Sequence, residues 1–280
     1  SIVSPIFARL NPGNGGIMVF KNTDFPMNDL GNYGSISDIV EIGDQYGITG
    51  YQELCAPGCT HILLAYVSQN GNIIGGSKST DTFTGDDARG VAISNSPIDV
   101  VSFGHQEGDL ILRENRENDQ PFKSNIFTDI GGNQTAHDIL GRANGDFVLL
   151  SESDMGPNGG IDIMFFIVDN NLERQIEPIY FGGSRTDRAT SIVAFDNGYV
   201  LAGSSNSDNA DGTFDVYLIK IDMDGGLLWE IKHKIEGTDE FAQDIKSTDD
   251  GGLMITGYIE YEDNTTDIFL LKTTKDGIVL

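Results

Sequence analysis

Short apolar runs recur along this chain at a spacing of a little over fifty positions, each bounded by Asp, Asn or Gly. The clearest is Asp215-Val216-Tyr217-Leu218-Ile219-Lys220, with counterparts at Asp267–Lys272, Asp162–Ile167 and Asp109–Arg113. The leading aspartates stand at 109, 162, 215 and 267, giving steps of 53, 53 and 52. Weaker copies begin at Ser4 and His61. A second run keeps the same phase: Gly198-Tyr199-Val200-Leu201-Ala202-Gly203 matches Gly252–Gly257 and Gly145–Leu150, with fainter copies at Asp99 and Gln45. Two markers in one register signal a tandem structural repeat. The runs are β-branched and aromatic, and no stretch carries the 3.6-residue apolar stripe of a helix, so the pattern predicts strands.

In the clearest copy the pattern predicts four strands: A over Ala189–Phe195, B over Tyr199–Gly203, C over Asp215–Ile221 and D over Leu227–Lys232. Asp196-Asn197-Gly198 joins A to B, and Asp222–Gly226 joins C to D, both with the chemistry of tight hairpins. One such four-stranded antiparallel sheet cannot bury both faces alone, whereas stacking several radially does. The expectation is an all-β, single-domain β-propeller over 1–280, with repeat units near 1–30, 31–84, 85–130, 131–180, 181–234 and 235–280. Six blades, one irregular or incomplete, is the preferred count; five and seven are the alternatives.

The copy at 182–229 spells out Gly182-Gly183, Asp187, Ala189, Gly198–Gly203, Asp215–Lys220, Asp222, Gly225 and Trp229. This pattern resembles the repeat of secreted bacterial β-propeller proteins, common in the cell envelope of Bacteroidetes-like bacteria and often lipoproteins. Residues 236–277 form a good second copy, 131–180 a fair third, and the first 130 residues are degenerate. The resemblance implies a propeller at a secreted, periplasmic or outer-membrane-surface location, with a lipid anchor in the full-length protein as an option. It implies no reaction, because the motif consists of strand and turn formers.

The charge narrows the partners. Lys and Arg total 17 against 43 Asp and Glu, a net charge of −26. Such a field repels phosphate backbones and anionic lipid, which argues against nucleic acid. No run of eighteen apolar residues predicts a membrane-spanning helix. The two cysteines, Cys55 and Cys59, flank Ala56-Pro57-Gly58, a turn that would bring the sulfurs together. A disulfide there would fit an oxidising compartment; two free thiols, a metal site and a redox pair are the other readings.

Candidate chemistry is sparse. His61, His105, His137 and His233 fall at different repeat positions without metal-ligand spacing. No nucleophile elbow or phosphate loop is present. Ser247–Gly252 loosely resembles a sialidase Asp-box but joins A to B rather than C to D. The loop 207–215 places Asp208, Asp211 and Asp215 around a glycine, a set of hard oxygen ligands that could take Ca²⁺; no other cofactor is expected. The long connections of the repeat, including 51–60, 204–214 and 257–266, share one face of a propeller, where ligands are usually held. Tyr51, Arg185, Arg188, Tyr258 and Tyr261 are the residues there suited to gripping one.

With no catalytic constellation in view, the sequence favours a non-catalytic binding or scaffolding propeller that presents acidic loops to a protein or glycan of the envelope. The alternative is a glycan-active enzyme, a glycosidase or lyase, using carboxylates in a central funnel. Forty-three acids will always supply some pair at glycosidase spacing, so their number does not decide between the two.

Overall fold

Each apolar run that marks the repeat falls in a β-strand. The computed structural model describes residues 6–10, 17–21, 33–53, 59–68, 73–78, 83–84, 87–93, 100–115 and 123–280, with side chains described for 37–50, 66–68, 101–114 and 123–280. Among the described residues there is no helix, and so none long and apolar enough to cross a membrane. The chain divides into two compact units, 1–127 with 143–145, and 128–142 with 146–280.

The first unit holds a hairpin, β1 (Ile6–Leu10) with β2 (Ile17–Lys21), and two larger sheets. In one of these, β3 (Tyr33–Ile42), β4 (Gln45–Glu53), β5 (Cys59–Ser68) and β6 (Ile73–Lys78) follow in order. β7 (Phe83–Thr84) also pairs with β5, whose ten residues give its outer edge room for two partners. The other sheet is β8 (Asp87–Ile93), β9 (Val100–Gln106), β10 (Asp109–Asn115) and β11 (Ser124–Ile126).

The second unit is three sheets, each an antiparallel meander. They are β12 (Gln134–Gly141) to β13 (Phe147–Ser153), β14 (Asp162–Val168) and β15 (Ile179–Phe181); β16 (Asp187–Ala194) to β17 (Gly198–Ser205), β18 (Asp215–Asp222) and β19 (Leu227–His233); and β20 (Thr238–Ser247) to β21 (Leu253–Tyr261) and β22 (Thr266–Thr273). Among the described residues the sheets thus hold two to five strands rather than four throughout. Their boundaries follow the repeat units.

The second strands β13 and β17 and the third strands β14 and β18 are buried at almost every position, and β17 and β18 have a neighbouring sheet on each face. This is why their sequences read as continuous apolar runs rather than alternations. One core, with Leu150, Phe165, Leu201 and Tyr217, lies between the first two sheets of this unit. A second, with Val200, Leu218, Ile245 and Ile255, lies between the last two. In the β16–β17 turn, Asp196 and Asn197 both take positive φ, 41° and 54°, the mirror-image hairpin conformation that Asn and Asp tolerate.

One irregularity recurs in all five larger sheets. The first strand bulges between Ile36 and Asp38, Ala88 and Gly90, Ala136 and Asp138, Ala189 and Ser191, and Ala242 and Asp244. Gly203 pairs with Ala189 beside one bulge and Gly257 with Ala242 beside another. A Cβ there would lie 1.9 Å from the Arg188 carbonyl oxygen and 2.1 Å from that of Phe241. The second glycine of the repeat motif therefore exists for close backbone approach, not for turn formation.

Candidate functional site

A bulge re-aims the side chain that follows it, and in the second unit it brings three polar groups together. The strands β12, β16 and β20 pack in succession, and their post-bulge residues are Asp138, Ser191 and Asp244. Ser191 Oγ lies 3.1 Å from Asp138 Oδ2 and 2.9 Å from Asp244 Oδ1. Those two contacts bound the gap between the carboxylate oxygens at about 6 Å. Asp138 also accepts the Ile139 N–H at 2.8 Å and the Ile192 N–H at 2.9 Å. Asp244 accepts the Ile245 N–H at 2.9 Å and pairs with Lys246 at 2.9 Å. Ser191 is buried, whereas Asp138 and Asp244 are half-buried.

Three positions before two of the post-bulge residues, Arg188 on β16 and Phe241 on β20 join a ladder with Phe214, just ahead of β18, and Tyr258 on β21. The Arg188 guanidinium lies over Phe214, 5.7 Å from the ring centroid. Phe214 meets Phe241 at 5.1 Å in a tilted arrangement, and Phe241 stacks on Tyr258 at 5.0 Å. The backbone locks this order: Phe214 donates its N–H to Asp239 at 2.6 Å, and its carbonyl accepts the Glu240 N–H at 2.7 Å. Phe214, Phe241 and Tyr258 are all half-buried, so the ladder keeps an accessible side. Arg188 and Tyr258, two of the expected ligand-gripping residues, are thereby joined through two phenylalanines that the sequence reading did not single out.

The other expected residues are placed elsewhere. Arg185 is exposed and donates from Nη1 to the Asn209 carbonyl at 3.0 Å. Tyr261 donates its hydroxyl hydrogen to Asp267 at 3.1 Å. Tyr51 lies in β4, and its side chain is outside the described residues. So is the Cys55–Cys59 pair: Cys55 is not described, and Cys59 is described only as backbone opening β5.

Two aspartates of the loop 207–215, Asp211 and Asp215, turn to separate partners. Asp211 pairs with Lys234 at 2.6 Å, which with the Thr213 hydroxyl lowers its pKa to about 2. Asp215 accepts from Asn209 Nδ2 at 3.0 Å. Among the described residues no group of three or more His, Cys, Asp and Glu side chains converges as a metal site, so the three are not held around a common point. The Asp-box-like Ser247–Gly252 is confirmed as an A–B turn, in which Asp250 pairs with Lys272 at 2.6 Å.

Several buried carboxyl groups serve as loop fasteners. Asp187 accepts from both Ser205 and Ser207 and from the Gly183 N–H at 2.8 Å. Burial pushes the Asp162, Asp215 and Glu240 carboxyls up. Glu240 accepts from the Thr238 hydroxyl and from the Ile235 N–H at 3.2 Å.

No family model and no curated protein matches the chain. Solved structures do. An exo-β-1,3-galactanase from Phanerochaete chrysosporium, in complex with β-1,3-galactotriose, superposes with a TM-score of 0.54 at 12% identity over 86% of this chain; the match spans 61% of the fungal protein. A GH43 β-1,3-galactosidase with galactodeoxynojirimycin gives 0.51 at 10% identity, covering 86% of this chain and 91% of the other. The Dos1 propeller gives 0.50 at 11% identity, covering 96% and 62%. Glycoside hydrolases recur among these structures, which corrects the expectation of a non-catalytic scaffold and backs the glycan-active alternative. At these identities the likeness is one of fold, and the chain is an all-β protein with a β-propeller-type architecture.

Proposed function

We propose that the chain is a glycan-active enzyme, a glycosidase in which Asp138 and Asp244 supply the two carboxyl groups and the Arg188–Phe214–Phe241–Tyr258 ladder holds the sugar. The carrying observation is the pair itself: two carboxylates no more than about 6 Å apart, on the first strands of alternate sheets, bridged by Ser191. Glycosidic cleavage uses one carboxyl group to protonate the leaving oxygen and a second to attack or to activate water, with separations of roughly 5–9.5 Å. The weakly positive C–H face of a pyranose matches the negative face of an aromatic ring, which the ladder offers. The resemblance in fold to β-1,3-galactan-cleaving enzymes makes β-1,3-linked galacto-oligosaccharides the first substrates to try.

On this reading the larger sheets are blades, the first strands line a central funnel, and the loops after β15 and β19 form its rim. The secreted or envelope location and the absence of a nucleic-acid partner accompany this proposal, since a polysaccharide substrate is extracellular.

The test is hydrolysis of a panel of β-linked galacto-, gluco- and xylo-oligosaccharides by the folded protein, followed by chromatography. Asp138→Asn and Asp244→Asn should each lower kcat/KM by about 10²–10⁴-fold, the scale of a lost acid–base group. Undiminished hydrolysis in either variant, or no hydrolysis of any glycan by the wild-type protein, would overturn the reading.

A further inference from the structure

The lysines and arginines of the second unit sort by their partners. Arg142, Arg174, Lys234, Lys246 and Lys272 each face a carboxylate. Arg185, Lys220 and Lys232 donate to backbone carbonyl oxygens. Only two remain. Lys275 is exposed in the turn that follows β22. Arg188 is exposed too, but it stands at the head of the ring ladder, and among the described residues its guanidinium meets only Phe214, 5.7 Å from the centroid.

A ring face attracts a cation but offers no lone pair to the five N–H groups of a guanidinium. The chain carries 43 Asp and Glu, any of which the fold could have set against Arg188. A cation left without a carboxylate in such a chain, at one end of a row of rings, is suited to an anion that arrives with a ligand. Its strand is held firmly. Arg188 pairs with Ser204 across β16 and β17. Before it, buried Asp187 accepts from Ser205, Ser207 and the Gly183 N–H; after it, the Ala189 N–H is bound by Glu152.

We propose that Arg188 makes this site selective for an acidic glycan, its guanidinium binding the carboxylate of a uronic acid unit while Phe214, Phe241 and Tyr258 hold the neighbouring sugar. A planar carboxylate matches the guanidinium fork through two parallel N–H···O bonds. Three residues of strand, about 10 Å, separate Arg188 from Ser191. The acidic unit is therefore a neighbour of the sugar at the carboxylate pair, not the reacting ring. The negative field of the chain opposes an anion at long range, but salt screens charges beyond about 8–10 Å, and a contact at hydrogen-bond distance outweighs it. The proposal rests on the reading of the ladder as the wall that holds sugar, and it does not need the carboxylate pair to be catalytic.

The probes are two synthetic trisaccharides: β-1,3-linked galactobiose capped with glucuronic acid, and its methyl ester, which keeps the shape and removes the charge. Each is titrated into the whole protein at low ionic strength and followed by calorimetry. The acid should bind at least about tenfold more tightly than the ester, the scale of a charge-assisted pair, and salt at about 0.5 M should narrow the gap. Arg188→Met keeps the stem and loses the fork, so it should bring the two affinities together; Arg188→Lys should keep part of the preference. The side chain is exposed, so an unchanged Tm shows that each variant folds. Equal or weaker binding of the acid by the wild-type protein, a preference that survives Arg188→Met, or no binding of either trisaccharide would overturn the proposal. Because binding is read rather than cleavage, a protein that shows this preference and hydrolyses no glycan sinks the glycosidase reading alone.

Discussion

Glu152 accepts the backbone N–H of Ala189 at 2.7 Å, tying the second strand of one sheet to the first strand of the next. One repeat on, Ser204 Oγ accepts the N–H of Ala242 at 3.0 Å in the same role. The bond recurs because the first strand, at its bulge, turns an N–H away from its own sheet, and a buried N–H must find an acceptor. Glu152 differs from Ser204 in also lying 3.1 Å from His137 Nε2.

Glu152→Gln keeps an acceptor in place and should leave stability within about 1 kcal/mol of wild type. Glu152→Ala removes it, leaves the buried Ala189 N–H unpaired, and should cost about 1–3 kcal/mol. Urea denaturation of the two variants checks the difference. Equal stabilities would show that water or another group takes over the bond.

Gly203→Ala should destabilise by about 1–3 kcal/mol or more, as overpacking does. The new Cβ would meet the Arg188 carbonyl oxygen at 1.9 Å, a backbone atom that a side-chain rotation cannot move aside. The same change at Gly251, which takes positive φ with open space around it, would be strained without a clash. Comparing thermal unfolding of the two variants separates steric from conformational cost.

Glu240 is buried, and burial raises its pKa above the ordinary 4.5. A carboxyl group whose folded pKa exceeds its unfolded pKa makes the native state bind the proton more tightly. Native stability therefore falls as pH rises through the window that opens near 4.5. Glu240→Gln cannot ionise, so its Tm should gain on wild type from pH 4 to pH 7. A Tm difference that does not change with pH would remove this account.

Asp250 shows the opposite sign. The Lys272 ammonium and the Thr248 hydroxyl hold its pKa at about 2, below the ordinary 3.8. Its contribution to stability is present above about 3.8 and is lost as pH falls towards 2. Both side chains reach solvent, so the effect is small and weakened by salt. Lys272→Met should flatten the acid limb of a Tm-against-pH curve between pH 4 and 2, and 0.5 M salt should have the same effect on wild type.

If the ring ladder binds sugar, Phe241→Ala should raise KM more than it lowers kcat, since the ring would touch substrate away from the scissile bond. It interrupts the ladder between Phe214 and Tyr258. Substrate titrations of the variant separate the two constants. A fall in kcat with unchanged KM would place the ring's role at the reacting centre instead.

The sequence by itself determined what depends on neighbouring residues. Asp-Asn-Gly turns set the hairpins, apolar runs set the strands, and the 52–53-residue step divided the chain into sheets, so that the predicted strand over Asp215–Ile221 and the observed β18 differ by one residue. The site was only partly legible. Arg188 and Tyr258 were singled out on an expected place in long loops, whereas the structure puts them in β16 and β21, and nothing in the pattern joined them to Phe214 and Phe241, which lie on a loop and on β20. The Asp138–Ser191–Asp244 array was missed for a related reason: its members are each about 53 positions apart, and alone each is an ordinary polar residue on a half-buried strand. Only the packing of β12, β16 and β20 made them one group, because an identical bulge in each strand aims an identical position at its neighbour. The repeat in the sequence makes the three positions equivalent; the stacking of sheets makes them adjacent.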